Sequence, residues 1–163
     1  MSAVPVSALC QIAPDVVLGA RIKINPFVNL YGCRIGDDCM IGTFVEIQRG
    51  VVIGHRCRIQ SHTFICSGVI IEADVFVGHG VMFINDRNPS AAGARTGAWR
   101  LEPILVRAGA SLGSGVVVMA GVEIGAGAVI GAGALVLGNV ASGATVAGVP
   151  ARVIRAPHSR ATP

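Results

Sequence analysis

An aliphatic residue recurs at every sixth position along most of the chain, in three series that cover residues 12–30, 35–83 and 106–136. Four residues after each of these positions stands a small or β-branched residue almost every time, as Val16 follows Ile12. A period of six fits neither an α-helix nor a regularly alternating strand. The pattern predicts short strands joined by tight turns, in which both members of each pair point inward.

Glycine stands directly after the aliphatic residue in many of these units, where it relieves backbone strain at a corner. A single unit cannot bury its own apolar side, so the units must stack into a solenoid. Neighbouring strands of such a stack lie about 4.8 Å apart. If three units make one turn, Cys39 lies over Cys57. We therefore predict one all-β domain, a parallel β-helix over residues 1–155, with a short tail over residues 156–163.

Two breaks interrupt the period. Between Tyr31 and Arg34 one residue is missing, and we interpret this as a bulge at a corner. After Phe83 the period stops, and it returns only at Val106. The intervening polar segment must leave the solenoid as a loop around residues 86–105. Long loops on a rigid scaffold often carry binding groups, although a loop that only clasps a second subunit is an alternative.

The amino-acid composition indicates what kind of side chains fill the core and which kinds of partner are not expected. Hydrophobic residues make up 52% of the chain and aromatic residues only 4%, which indicates a narrow aliphatic core. The uncharged stretch from residue 124 to 151 keeps its six-residue period, so no membrane span is predicted there. The net charge is +4, but no basic run is interleaved with aromatic residues, so nucleic acid is not an expected partner.

The cysteines and the position of the first basic residue predict the cellular compartment of the protein. The chain has five cysteines, an odd number, without a CxxC pair, and we interpret them as reduced, mostly buried thiols. The first Lys or Arg is Arg21, so we expect no signal peptide. These features predict a cytoplasmic protein.

The repeat resembles that of the bacterial hexapeptide-repeat transferases over nearly the whole chain. The segment GHGVMFINDRNPSA resembles the active-site segment of the members that N-acetylate nucleotide-linked 3-amino sugars, and the final AGVPARVIR resembles the family's ending near coenzyme A. The resemblance implies a left-handed, triangular β-helix and a homotrimer with sites between neighbouring prisms. It also implies acetyl-CoA as co-substrate, no metal, and a UDP- or dTDP-linked amino sugar as acceptor, in surface polysaccharide or glycan biosynthesis.

Acetyl transfer from a thioester to an amine needs a neutral amine, a held thioester and a stabilised oxyanion. The resemblance points to Asn85 as the key catalytic side chain, which would orient the amine or the thioester. Asp86 would help to hold the acceptor sugar or the loop. The O-acetyltransferases of this fold place a catalytic histidine in the corresponding loop, and this segment has none.

Histidines elsewhere are the candidate bases. His79 holds the same place in its unit as Asn85 does in the next, so a trimer could bring His79 of one chain to Asn85 of its neighbour. His62 is a further candidate, assigned with Glu46 and Gln60 to substrate binding. The alternative for all of them is a solvated outward position.

Coenzyme A is expected along the Gly- and Ala-rich later coils, where missing side chains let a ligand approach the backbone. Ala120, Gly121 and Ala126 are the candidate wall residues, and Arg152 and Arg155 are candidates for the phosphates or the adenine end. Simple packing and a solvated tail are the alternatives.

The same fold also serves different functions. A zinc hydrase of the γ-carbonic anhydrase kind needs three histidine ligands, and His55, His62 and His79 are available. The closest pair is seven residues apart, however, where that family has five, so this function is disfavoured. A non-catalytic scaffold subunit, an O-acetyltransferase acting on a sugar or on serine, and a 4-amino-sugar N-acetyltransferase also fit the repeat.

Overall fold

A computed structural model describes residues 9–156 of the chain. Apart from one short helix, its regular elements are strands, most of them two residues long, in three sheets. The first sheet contains β1 (Gln11–Ile12), β4 (Asn29–Leu30), β7 (Glu46–Ile47), β10 (Phe64–Ile65), β13 (Met82–Phe83), β16 (Val117–Val118) and β19 (Leu135–Val136).

The second and third sheets take the strands in between. The second contains β2 (Val17–Leu18), β5 (Arg34–Ile35), β8 (Val52–Ile53), β11 (Val69–Ile71), β14 (Ile104–Val106) and β17 (Glu123–Ile124). The third contains β3 (Lys23–Ile24), β6 (Met40–Ile41), β9 (Arg58–Ile59), β12 (Phe76–Val77), β15 (Ser111–Leu112), β18 (Val129–Ile130), β20 (Thr145–Ala147) and β21 (Arg152–Arg155).

Neighbours within a sheet are parallel and three strands apart along the chain, except near the end, where β20 pairs with β18 and, antiparallel, with β21. Each coil therefore supplies one strand to each sheet, and the chain forms a parallel β-helix with three units to a turn, as predicted. Ile47 pairs with Ile65, and Met40 pairs with Arg58. Cys39 and Cys57, each one residue before its strand, accordingly occupy equivalent places in successive coils.

The interior is a column of aliphatic side chains. The second residue of nearly every two-residue strand is buried, and so is the residue before most strands, as Val45 is before β7. Phe83 is the one ring among the fully buried side chains of residues 9–156, and Thr63 is the one buried polar residue there. The Thr63 hydroxyl donates to the Gly78 carbonyl oxygen at 3.0 Å, so its burial leaves no polar atom unsatisfied.

The long loop leaves the prism between the first and second sheets. It spans residues 84–103 and contains α1 (Ala91–Thr96), which begins after the N-cap Ser90 and ends at Gly97. The predicted bounds, around 86–105, lie two residues too late. The structure ends the loop earlier because Ile104 already pairs with Val69 and is buried in the inward place two residues before Val106. The shortened corner between β4 and β5 leaves the pairing of both strands in register.

The last strand of the described chain, β21, ends at Arg155. Of the predicted tail, residues 157–163 lie outside the described residues, as do residues 1–8 of the predicted domain. Between residues 9 and 156, no helix has the length and apolar character that crossing a membrane requires.

Candidate functional site

Two edges of the prism flank the first sheet. The loop edge joins the first sheet to the second, and it includes residues 31–33, 48–51, 66–68, 84–103, 119–122 and 137–139. The histidine edge joins the third sheet to the first, and it includes residues 42–45, 60–63 and 78–81. Most of the candidate side chains lie on one of these two edges.

A cleft of about 420 Å³ opens on the loop edge, between the loop and the coils beside it. Phe64 and Trp99 are its aromatic lining residues, and Gln48, Ser67 and Asn85 are among its polar ones. Asp86 is the one charged residue that lines it within the described chain. The cleft therefore combines apolar walls with amide, hydroxyl and carboxylate groups. It suits a ligand that has an apolar face, hydrogen-bonding groups and a positive charge.

A row of hydrogen bonds connects the polar lining residues from coil to coil. The Tyr31 hydroxyl donates to Glu46 Oε1 at 3.1 Å, and Gln48 Nε2 donates to the same oxygen at 3.1 Å. Gln48 Oε1 accepts from the Ser67 amide at 3.3 Å. Desolvation, and then the hydrogen bond to Glu46, raise the pKa of Tyr31. The row fixes Gln48 and Glu46 beside the cleft.

Asn85 and Asp86 extend this row into the loop. Asn85 Nδ2 donates to the Ser67 carbonyl oxygen at 2.9 Å. Asp86 Oδ1 accepts from the Asn88 amide at 2.9 Å. Among residues 9–156, Asn85 Oδ1 and Asp86 Oδ2 have no hydrogen-bond partner, so each residue keeps one acceptor oxygen for a ligand.

The coil above the loop is in direct contact with it. Arg87 Nη2 donates to the Ala120 carbonyl oxygen, and Ala120 is fully buried. Within one chain, the methyl group of Ala120 is therefore buried and its carbonyl oxygen is paired with Arg87, while its place in the wall against coenzyme A stays a prediction. Gly121 is exposed, with a left-handed φ of 74°, and lies against Glu102 of the loop.

The histidine edge holds His79, His62 and Gln60. His79 Nδ1 lies 3.0 Å from Ser61 Oγ, and its amide donates to Ser114 Oγ at 3.2 Å. His62 stacks on Phe44, with 4.9 Å between ring centroids. Both histidines are exposed and Gln60 is half-buried.

The structure thus divides the predicted site residues between two edges of one chain. Asn85 and Asp86 belong to the loop edge, and His79 belongs to the histidine edge. Glu46 lies on the first sheet, where it accepts a hydrogen bond from Gln48 of the cleft. The strand β13 separates Asn85 from His79, so a single prism does not bring them together.

The remaining cofactor candidates are spread further. Ala126 is exposed on the third edge, which joins the second sheet to the third and lies away from the cleft. Arg152 lines a second cavity of about 250 Å³ together with Gly138 and Ala151. Gly138 lies at the corner after β19, so one side of this cavity is on the loop edge, two coils beyond the coil of Asn85. Arg155 is exposed on β21.

The predicted zinc alternative finds no support in the placement of its three histidines. His55 lies on the third edge, where its Nδ1 accepts from the Asp37 amide at 3.0 Å, whereas His62 and His79 lie on the histidine edge. Across residues 9–156, no group of three or more His, Cys, Asp or Glu side chains is arranged to hold a metal ion.

Cys66 is a buried thiol in the wall of the cleft. Burial raises its pKa to about 11. The thiol is therefore protonated at neutral pH and is a poor nucleophile, so transfer through an acyl-cysteine is not favoured.

Sequence reasoning missed four residues of the site. Tyr31, Ser67, Arg87 and Glu102 were not singled out. Ser67 and Glu102 are hydrogen-bonded to Asn85, Arg87 to Glu102, and Tyr31 to Glu46. Ser67 could have been found, because it precedes Asn85 by one full turn. The pairing of Arg87 with Glu102 depends on the path of the loop, which the period does not set.

Comparison with known proteins agrees with this geometry. The bacterial transferase hexapeptide repeat (six repeats) matches residues 32–67 and 103–138. A variant of AntD, an N-acyltransferase from Bacillus cereus in complex with dTDP and coenzyme A, superposes with a TM-score of 0.75 at 18% identity, over 86% of this chain and 83% of that one. The fold is a left-handed parallel β-helix, and its residues 32–67 and 103–138 are similar to the repeats of the bacterial hexapeptide transferases.

Two further relatives share more sequence. A hexapeptide-repeat acetyltransferase from Vibrio cholerae O1 biovar eltor, complexed with acetyl-coenzyme A, has 26% identity and a TM-score of 0.53, over 87% of this chain and 70% of that one. The UDP-3-O-acylglucosamine N-acyltransferase of Polynucleobacter asymbioticus is 35% identical over 78 residues, which are 44% of this chain and 20% of that protein. The chain spans about a fifth to a quarter of the length of the curated relatives it matches.

Proposed function

We propose that this protein is an acetyl-CoA-dependent N-acetyltransferase that acts on the amine of a UDP- or dTDP-linked 3-amino sugar, in the cytoplasm, as a step of surface polysaccharide or glycan biosynthesis. The observation that carries the proposal is the cleft with Asn85 and Asp86, each of which keeps a free acceptor oxygen. The dTDP and coenzyme A bound by AntD, and the UDP-sugar named for the acyltransferase relative, support the same class of substrate.

The charge of the cleft favours an amine as the group that enters it. Asp86 is its one charged lining residue within the described chain, so an ammonium group is attracted and a phosphate is repelled. Asn85 Oδ1 would accept a hydrogen bond from the amine and turn the nitrogen lone pair towards the thioester carbonyl. Trp99 and Phe64 would cover the apolar face of the sugar ring.

The proton of the ammonium group needs an acceptor before the amine can attack. We assign this role to His79 of a neighbouring chain in a homotrimer. Ser61 Oγ, 3.0 Å from Nδ1, can accept the Nδ1 proton, and the lone pair then lies on Nε2, where a base requires it. Val52 and Ile70, apolar side chains 40% and 45% exposed on the outer face of the second sheet, support burial against other subunits.

Acetyl-CoA would follow the loop edge from the cleft towards the end of the prism. Gly121 and Gly138 lie along this path, and the cavity beside Arg152 ends it. Two coils separate the cleft from this cavity, about 10 Å at the usual strand spacing. Arg152 would contact a phosphate there, and Arg155, on the same strand, would contact the adenine end.

The variant Asn85→Ala tests the catalytic assignment, with Asn88→Ala as a matched control in the same loop. Loss of an orienting or polarising side chain at the reacting atoms costs about 100- to 1,000-fold in kcat. We expect a loss of this size for Asn85→Ala and near-normal turnover for the control, whose exposed side chain does not line the cleft. Light scattering would verify that the oligomer is unchanged. Near-normal turnover of Asn85→Ala would contradict the assignment.

A further inference from the structure

One arginine ties the two ends of the loop to each other and to the prism. Arg87 follows the start of the loop, and Glu102 precedes its end. Arg87 Nε donates to Glu102 Oε2 at 3.0 Å, and Arg87 Nη2 donates to the Ala120 carbonyl oxygen of the next coil. We call these three residues the latch.

The latch reaches Asn85 through the backbone. The Glu102 amide donates to the Asn85 carbonyl oxygen at 3.0 Å. Asn85 is therefore held from two sides, by Glu102 through its main chain and by Ser67 through its side chain. A shift of Glu102 would move the backbone of Asn85 and, with it, the side-chain amide of Asn85.

The latch also accounts for the lack of a side chain at Gly121 in the next coil. A Cβ on Gly121 would lie 2.9 Å from Glu102 Oε2 and 3.4 Å from Arg87 Nη2. The missing side chain therefore makes room for the ion pair.

Little else in the helical part of the loop anchors it. The helix α1 has no buried residue, and its N-cap bond joins Ser90 to Gly93 within the loop itself. Within the described chain, the hydrogen bonds that join residues 84–103 to the later coils are those of the Ile84 amide with the Val118 carbonyl oxygen and of Arg87 with the Ala120 carbonyl oxygen.

We propose that Arg87 is a positioning residue, which latches the loop through Glu102 and the Ala120 carbonyl and so holds Asn85 in its reactive place. This inference rests on the proposed function for its catalytic half. Its structural half concerns only the loop and can be measured without any substrate.

Trp99 provides the structural readout, because it is the single tryptophan of the chain and lies in the loop. Its fluorescence quenching by acrylamide would be compared for the wild type, Arg87→Ala, Arg87→Lys and Arg95→Ala. Arg95 is an exposed arginine in the last turn of α1, so its loss controls for the loss of one charge from the loop. Steady-state acetyl transfer would be measured on the same four proteins.

For Arg87→Ala we expect easier quenching of Trp99 and a fall in kcat of about 10- to 100-fold, since a displacement near 1 Å can cost that much. The KM for acetyl-CoA should change little. Arg87→Lys should recover part of both losses, because one ammonium can pair with Glu102 but cannot reproduce the two separate guanidinium contacts. Arg95→Ala should match the wild type.

Unchanged quenching in Arg87→Ala would overturn the latch. Easier quenching with a normal kcat would overturn the positioning of Asn85. If the wild type transfers acetyl to no acceptor, the proposed function fails, whereas the quenching comparison still decides whether the latch holds the loop.

Discussion

The close stacking of the coils makes one glycine substitution a quantitative test of the fold. Gly54 lies at the corner between the second and third sheets, directly over the next coil. A Cβ there would lie 2.6 Å from the Ala73 nitrogen and 2.7 Å from the Glu72 carbonyl carbon. Both contacts are with backbone, so no side chain can rotate away.

The cost of Gly54→Ala follows from these distances. Ordinary van der Waals contact begins at 3.4 Å, so the coils must separate locally by about 0.8 Å. Overpacking of this kind lowers the free energy of unfolding by about 1–3 kcal/mol. For a domain of this size, a loss of about 2 kcal/mol lowers the melting temperature by roughly 4–8 °C.

Gly138→Ala is the matched control. Its Cβ would have no heavy atom within 4 Å, and its φ lies outside the left-handed region. We expect a change within about 0.5 kcal/mol in either direction. Differential scanning calorimetry of both variants and the wild type gives the comparison. Equal melting temperatures for Gly54→Ala and Gly138→Ala would refute the predicted contact between coils.

Two further predictions concern the cofactor and acid stability. Replacing Arg152 and Arg155 together with Ala should raise the KM for acetyl-CoA and leave that for the acceptor unchanged; a rise in the acceptor KM alone would place coenzyme A elsewhere. A hydrogen bond from Arg21 lowers the pKa of Asp38, and one from Arg56 lowers the pKa of Asp74. The stability that these two carboxylates contribute is complete above the ordinary aspartate pKa near 3.9. It is lost as the pH falls through the lower pKa values of the folded state. When the pH is lowered below about 4, the melting temperature of the wild type should therefore decrease more steeply than that of the double variant Asp38→Asn, Asp74→Asn. Equal slopes for the two proteins would show that these ion pairs do not contribute to stability.

The contacts that sequence could predict are those the period controls. Residues one turn apart lie over one another, so the contacts of Ser61 with His79 and of Ser67 with Asn85 follow from numbering alone. The same rule made the stacking of Cys39 and Cys57 predictable.

The contacts made by the loop are of a different kind. Arg87 reaches a carbonyl 33 residues away, because the loop doubles back across the edge. No repeat fixes that path, so neither the latch nor the burial of Ala120 could be predicted. The bounds of the loop were predicted two residues too late for a related reason. Ile104 already pairs with Val69 on the inner side of the β-helix, although the residues just before it belong to the loop and show no period.

The location of Asn85 and His79 on two edges follows from the period, and their meeting in a trimer stays a prediction. Equivalent places in successive units must lie on successive edges of a triangle. Their meeting depends on the contact between prisms, which the period of one chain does not fix.

The measurement that tests the central claim most directly is the release of free thiol from acetyl-CoA in the presence of a panel of UDP- and dTDP-linked 3-amino and 4-amino sugars. Serine and a simple galactoside serve as hydroxyl acceptors for comparison. We predict rapid thiol release with one 3-amino sugar nucleotide and background rates with serine and the galactoside. Release with a hydroxyl acceptor alone, or silence across the panel without binding of acetyl-CoA, would contradict the proposed function.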